Sequence, residues 1–290
     1  MARENKYSVS DLKRDFPNDE ACVRLIFDTL HKDTCSCGGR FSHMNGYRKF
    51  QCSKCRFKIS PTARTIFDHS STPLTLWFHA IFVFSNAKSG ISAKEMERQL
   101  GVTYKCSYRI LSLIRKALEQ STDKLSGDVE MDTAYFGGKG NAGKDNIFLK
   151  DVMRKKAVVM GAVERKGSVR LRVVPDATAQ THGEFLFKSI EKEGTQLMTD
   201  KTNRLNNVAV GLDRHVIDHG RKEFVRGEVH TNTMDGFWSH IKRSIRGTYK
   251  VISKKHLQYY LDAFVFHYNN RYNDRERFSV LLGMILHGAR

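Results

Sequence analysis

Apolar residues recur at helical spacing over residues 8–31. There Leu12, Phe16, Cys22, Leu25, Ile26 and Leu30 form one stripe, and either Ser8 or Ser10 can cap its start. Residues 33–62 break that period with paired cysteines, Gly38, Gly39 and Gly46, and alternating aromatic and basic residues. Pro61 closes the stretch, and Pro73 opens a helical region reaching about Leu118. That region begins with the most apolar window, LTLWFHAIFVF at residues 74–84. It is about half the ~20 residues a membrane span requires, so it reads as a buried helix. Residues 121–127 are the best linker candidate. Beyond them the period becomes strand-like: a short strand carries Val129, Met131 and residues 134–136, with a turn at Gly137 and Gly138. Residues 158–163 and 169–174 are β-rich runs separated by ERKGS, a hairpin signature. A helix is expected over about 181–193, a strand over 195–199 ending at Asp200, and helices from Asp235 through Ile245 and over 256–270. The order is that of a mixed α/β domain. The expected division is a helical lead-in at 1–32, a cysteine-bearing module at 33–62, a helical region at 73–120, the α/β domain at 125–273 and a tail at 274–290.

Charge changes this picture first. Of 290 residues, 49 are Lys or Arg and 31 are Asp or Glu, a formal net charge of +18. Such a surface favours a polyanionic partner, nucleic acid before membrane. The 40% hydrophobic content excludes wholesale disorder. The amino terminus, MARENKYSVSDLKRDF, has no apolar core behind its charges and does not read as a secretory signal. The expectation is a cytoplasmic protein with no membrane partner.

Four of the six cysteines fall within residues 35–55, as Cys35-x-Cys37 and Cys52-x-x-Cys55. Two knuckles joined by a short β-like segment are how a zinc ribbon builds a four-thiolate Zn²⁺ site, although the first is one residue short of the usual spacing. The other reading is reduced thiols in a small core, or a redox pair. Structural Zn²⁺ is preferred because a Gly-rich module of this size has little apolar surface to fold around. The module carries Arg40, Arg48, Lys49, Lys54, Arg56 and Lys58, with Arg64 just beyond, and no acid among them.

Ser92 followed by Glu95 resembles a capping box, and Gly101 ends that helix. Residues 103–118 give a second helix, with Cys106, Ile110, Leu113, Ile114 and Leu118 inward and Lys105, Arg109, Arg115 and Lys116 outward. This is the pattern of a helix-turn-helix whose second helix can enter a major groove, though any two helices joined through a glycine share it.

Three aspartates stand out: Asp132 in the first strand of the α/β domain, Asp200 at the end of a later strand, and Asp235 near a helix start. Singly, each reads best as a surface charge or cap. Together, carboxylates at strand ends and on a facing helix can hold two Mg²⁺ ions for phosphodiester chemistry. Lys242 follows Asp235 by two helical turns on the same face. His230 and Asn232 are expected to cap that helix or orient the site from behind the ligands. Lys242, Arg243, Arg246, Lys250, Lys254 and Lys255 form a run without acids, suited to DNA phosphates. Trp238, Leu261, Phe264, Phe266 and Tyr268 read as core.

The chain resembles the DDE transposases of small bacterial insertion sequences related to eukaryotic Merlin elements, a group with an ISXO-like transposase domain. The resemblance runs through SVSDLKRDFP, FKISPTARTIFDHS, VEMDTAYFGGK, LMTDKT and HTNTMDGFWSHIKRSIRGTYKVISKKHLQYYLDAFVFHYNNR, stopping near Arg271. It implies a ribonuclease-H-like catalytic core behind an N-terminal zinc ribbon and helix-turn-helix. The acidic triad falls on Asp132, Asp200 and Asp235, and the basic residue after the third acid on Lys242. The implied activity is a Mg²⁺- or Mn²⁺-dependent DNA transposase. It binds terminal inverted repeats, frees 3′-hydroxyls at element ends and joins them to target DNA. A homodimer or higher oligomer in a synaptic complex, nucleoid-associated, follows from the same resemblance. The sequence departs from the family at Asp235, where Glu is commoner, at Thr133, where Glu commonly follows the first Asp, and in the short first knuckle. The alternative is a zinc-ribbon and helix-turn-helix regulator whose nuclease core is inactive.

Overall fold

The computed structural model describes residues 6–137, 156–221 and 223–288. It divides into two compact units, Met1–Glu119 with Asn270–Arg290, and Gln120–Asn269. Gly138, the second residue of the expected turn, lies outside the described residues.

In the first unit α1 spans Val9–Asp15 and α2 spans Asp19–Leu30. Ser8 and Asp11 form a reciprocal capping box on α1, and Asn18 caps α2 through the Ala21 amide. Next come three short antiparallel strands, β1 (Phe41–His43), β2 (Phe50–Cys52) and β3 (Lys58–Ile59). Phe50 stacks on Phe27 of α2 with ring centroids 4.0 Å apart, which gives this small sheet an apolar anchor. The apolar window forms α3 (Leu74–Asn86), with Leu74, Trp77, Phe78 and Ile81 fully buried. Two amphipathic helices follow, α4 (Ala93–Leu100) and α5 (Tyr104–Lys116). Ser92 caps α4, Gly101 ends it in the left-handed region at φ +65°, and Thr103 caps α5.

The second unit is a five-stranded mixed sheet. Its strands are β4 (Leu125–Phe136), β5 (Ala157–Glu164), β6 (Val169–Val174), β7 (Ile190–Asp200) and β8 (Asp213–Ile217), in the order β6-β5-β4-β7-β8. β4, β5 and β6 are antiparallel neighbours, while β7 and β8 run parallel to β4. The ERKGS segment is the β5–β6 turn, with Lys166 at φ +62° and the Glu164 amide donating to the Ser168 carbonyl at 2.9 Å. α6 (Ala179–Ser189) covers one face of the sheet, over Val129, Met131, Met160 and Ala162. α7 (Asn232–Ser244) and α8 (Leu257–Asn269) cover the other, over Ala134, Phe136, Val159 and Val163. Strand alternation assigns these sets, since successive side chains point to opposite faces. Trp238, Leu261, Phe264 and Phe266 are buried, as expected.

Three expectations are corrected. The linker at 121–127 runs into β4 from Leu125. It is tied down at its start, where the Gln120 side chain donates to the Leu171 carbonyl and to Asp262, both at 2.7 Å. The helix expected to Glu193 stops at Ser189, because Ile190 already pairs with Leu125. The tail at 274–290 contains α9 (Arg277–His287). Phe278, Leu281, Leu282, Ile285 and Leu286 repeat at helical spacing and are buried in the first unit.

Candidate active site

The three aspartates come from three elements of the second unit. Asp132 lies on the central strand β4, on the face that also carries Glu130, Ala134 and Phe136. β7 lies alongside in parallel register, Glu130 opposite Met198 and Met131 opposite Thr199. One residue further on stand Asp132 and Asp200, on neighbouring strands about 5 Å apart. Asp235 sits in the first turn of α7. On β4's other side Asp132 is paired with Gly161 of β5. A Cβ on Gly161 would lie 2.7 Å from the Trp238 ring and 2.8 Å from Leu171, so the glycine lets α7 approach the sheet.

Burial pushes the Asp132 carboxyl up to about 6; the neighbouring Asp200 and Asp235 carboxylates add to the rise. The Trp238 indole opposes it, donating to Asp132 Oδ2 at 3.0 Å. Thr231 donates its hydroxyl to Asp235 Oδ2 at 3.2 Å. Asp132 and Asp200 are half-buried, whereas Asp235 is exposed. Desolvated carboxylates that disfavour each other's charge are the environment a hard divalent cation relieves. The donor set fits Mg²⁺ or Mn²⁺ in its chemistry.

Lys242 is exposed in the last turn of α7, about 10 Å along the helix from Asp235. Arg243 is exposed beside it, Arg246 lies on the π-turn Ile245–Tyr249, and Lys250 follows at φ +64°.

The expected helix cap is corrected. Thr231 is the N-cap of α7 and makes no side-chain cap bond, and exposed Asn232 is the first helical residue. The start of α7 is instead held by Glu130, fully buried on β4. Its Oε2 accepts from the Thr233 and Met234 amides at 2.8 and 3.0 Å. His230 takes part, its Nδ1 lying 3.2 Å from Glu130 Oε1 and 2.9 Å from Arg165 Nη2. The signal for Glu130 was present: an acid at a core-facing position of a central strand, in step with Asp132. Arg165, at the tip of the β5–β6 hairpin, carried no such signal.

In the first unit the Sγ atoms of Cys35, Cys37, Cys52 and Cys55 all lie within 4.8 Å of one another. Cys35 and Cys55 are 3.7 Å apart and Cys37 and Cys52 are 3.4 Å apart, close to the ~3.8 Å edge of a tetrahedral zinc–thiolate site. A Cβ on Gly39 would reach within 2.5 Å of Cys52 Sγ, so that knuckle wraps tightly around the sulfur. Backbone amides of Cys55 and Lys54 lower the Cys52 thiol to about 6, favouring the thiolate a metal needs. Among the described residues this is the group of three or more His, Cys, Asp and Glu side chains whose ligand atoms lie so close together; Asp132, Asp200 and Asp235 are gathered less tightly. Cys22 is buried in α2, and Cys106 Sγ lies 3.4 Å from the Thr72 hydroxyl.

On α5, Lys105, Arg109 and Lys116 are exposed, next to Tyr104 and Tyr108, whose rings stack 6.2 Å apart. Arg115 is not on that face. It is 3% exposed, and its Nη2 donates to the Ile91 carbonyl at 3.4 Å. Ser107, Leu111 and Arg115 form a second buried row at four-residue spacing beside Ile110 and Ile114. Arg48 is also engaged internally, with Asp19 at 2.8 Å and the Ser70 and Thr72 carbonyls at 2.9 Å. Asn269 Oδ1 accepts from the Val169 amide at 2.8 Å, which ties the end of α8 to β6.

The family model described as the ISXO2-like transposase domain matches residues 124–269, half of the chain. A protein described as an uncharacterized protein in transposable element ISH50, from Halobacterium salinarum, is 24% identical over 237 residues, covering 78% of this chain and 80% of that protein.

Proposed function

Because the chain belongs to the ISXO2-like transposase family, we propose that it is a Mg²⁺-dependent DNA transposase that cleaves phosphodiester bonds at the terminal inverted repeats of an insertion sequence and transfers the freed strands into target DNA. The observation that carries the reading is the meeting of Asp132 and Asp200 side by side on parallel strands, with Asp235 near enough to raise the Asp132 carboxyl. The sheet order, with three antiparallel strands followed by two parallel to the first, supports a ribonuclease-H-like core.

Asp132, Asp200 and Asp235 would hold Mg²⁺ or Mn²⁺, which when bound activates a water or 3′-hydroxyl and stabilises the leaving oxygen. The chain's own part is positional. β4 and β7 present two carboxylates in fixed register, and the Trp238 indole orients the first of them. Lys242, Arg243, Arg246 and Lys250 offer cations to the phosphates flanking the reacting bond. In the other unit the four cysteines hold structural Zn²⁺. Helices α4 and α5 act as the helix-turn-helix, with Lys105, Arg109 and Lys116 toward DNA and Arg115 serving packing. Joining two ends requires them to be held together, so the active form is a homodimer or higher oligomer. Among the described residues no helix is long and apolar enough to cross a membrane; work at the nucleoid in the cytoplasm follows from the proposed reaction on DNA.

The test is a Mg²⁺-dependent cleavage assay on duplexes carrying the inverted repeats that flank the gene. Asp132→Asn, Asp200→Asn and Asp235→Asn should each fall below detection while duplex affinity stays near wild type. Cleavage by all three variants refutes the site. A wild-type protein that binds ends with the expected specificity and never cuts them instead supports the regulator with an inactive core.

A further inference from the structure

We propose that Glu130 is a positioning residue of this site: it clamps the start of α7 to β4 and thereby sets Asp235 against Asp132. Its side chain is fully buried, yet five polar groups converge on it. Oε2 accepts from the Thr233 and Met234 amides at 2.8 and 3.0 Å. Oε1 accepts from the Thr233 hydroxyl at 2.9 Å and from Arg165 Nε at 2.8 Å, with His230 Nδ1 at 3.2 Å. A carboxylate offers about four lone-pair sites, and the two amides, the Thr233 hydroxyl and Arg165 Nε fill them, leaving Glu130 none with which to ligate a metal; His230 Nδ1 accepts from Arg165 Nη2 instead. Its work is done through its neighbours.

A helix start is ordinarily capped by the residue just before it, and the cap then moves with the loop. Here Thr231 supplies no side-chain cap, and the orphan amides are taken up by a residue 103 and 104 positions away in sequence, on the central strand. The negative charge sits against the positive end of α7, and Arg165 neutralises it. Arg165 also ties down the incoming chain, donating to the Glu228 carbonyl at 2.8 Å and the His230 carbonyl at 3.1 Å. Its own amide donates to the Asp128 carbonyl at 2.9 Å. Asp235 immediately follows Met234, one of the two clamped amides. Asp132 is two residues beyond Glu130 on the same strand face. The clamp is therefore a noncovalent link between two of the three acids, alongside the Trp238–Asp132 hydrogen bond, and it holds their separation before any ion arrives.

The inference rests on the reading of Asp132 and Asp235 as partners, so the experiment separates the two. Glu130→Gln keeps the volume but turns an amide N–H₂ toward donors. Mn²⁺ binding, followed by electron paramagnetic resonance without DNA, should weaken about 10- to 100-fold, the usual effect of losing a group that orients metal ligands. The half-saturating Mg²⁺ concentration for end cleavage should rise in parallel, and the rate should recover toward wild type at saturating metal. Circular dichroism should show the fold retained. A purely structural role would lower the unfolding midpoint and leave the metal dependence unchanged, and that result overturns the proposal. Should Glu130→Gln fail to fold, Thr233→Val, which deletes one donor, should shift Mn²⁺ affinity in the same direction by a smaller factor; unchanged affinity there also overturns it. If Asp235→Asn cleaves normally, the active-site reading falls. If Asp235→Asn is inactive while Glu130→Gln matches wild type in both metal readouts, the positioning role alone falls.

Discussion

A single missing methyl group at Gly161 governs how closely α7 lies on the sheet. The Cβ of an alanine would meet Met234, Trp238 and Leu171 at once, and all three are buried where little can yield. Gly161→Ala should therefore cost about 1–3 kcal/mol, the usual penalty of overpacking, measured as a lower urea midpoint at constant slope. It should also disturb the Trp238–Asp132 hydrogen bond, because the indole is one of the displaced groups. A variant as stable as wild type would mean that α7 has room to retreat. At this scale the three aspartates stood out by position, Asp132 inside an apolar strand, Asp200 at the end of one and Asp235 near a helix start, places where charge needs a reason. Arg115 was misassigned because a helical wheel treats any Arg as outward, whereas its aliphatic stem extends a buried row through Ser107 and Leu111. Glu130 did carry a local signal as an acid on the core-facing side of a strand, but its role was not legible, because its partners Thr233 and Met234 are more than a hundred residues away.

Among the elements, the three strands of the cysteine module are the least able to stand alone. They are three, three and two residues long, and their apolar anchors are little more than Phe41 and Phe50. Such a sheet needs a metal to close it. Elemental analysis should find about one zinc per chain. Cys52→Ser should remove it and expose the module to proteolysis, whereas Cys106→Ser should change neither. Zinc retained by Cys52→Ser would assign the cluster to thiol packing. The hairpin at ERKGS and the buried helix at 74–84 were legible from turn chemistry and apolar run length. The helix-to-strand join at Ser189 was not, because the polar run Glu191–Glu193, which strand propensity disfavours, falls in the register shift between the Leu125–Ile190 and Gly127–Thr195 pairs. α9 was overlooked since it follows a polar stretch beyond the blocks that carry the family resemblance.

For the whole molecule, a net charge of +18 makes DNA affinity a matter of ionic strength. If the exposed cations of α5 and α7 make six to ten phosphate contacts, binding should fall by roughly 10³- to 10⁵-fold between 50 and 200 mM salt, read as the slope of log affinity against log salt. A flat slope would remove the polyanion argument. The division into two units was only partly legible, since composition marks the boundary near residue 120 but nothing local says that the chain comes back. It leaves the first unit after Glu119 and rejoins it at Asn270, where α9 adds Phe278 to the cluster of Tyr7, Phe78 and Phe82. On the ribosome this has a consequence for timing. The unit bearing the cysteines and α5 begins synthesis first and is completed last, after the five-stranded unit has already emerged whole. A premature stop codon between Asn270 and Arg277 would thus release a chain in which the sheet and its three aspartates are intact, while α3 lacks its final partner. Such a product would carry the unit matched by the transposase family model while the cysteine-bearing unit stays unsealed.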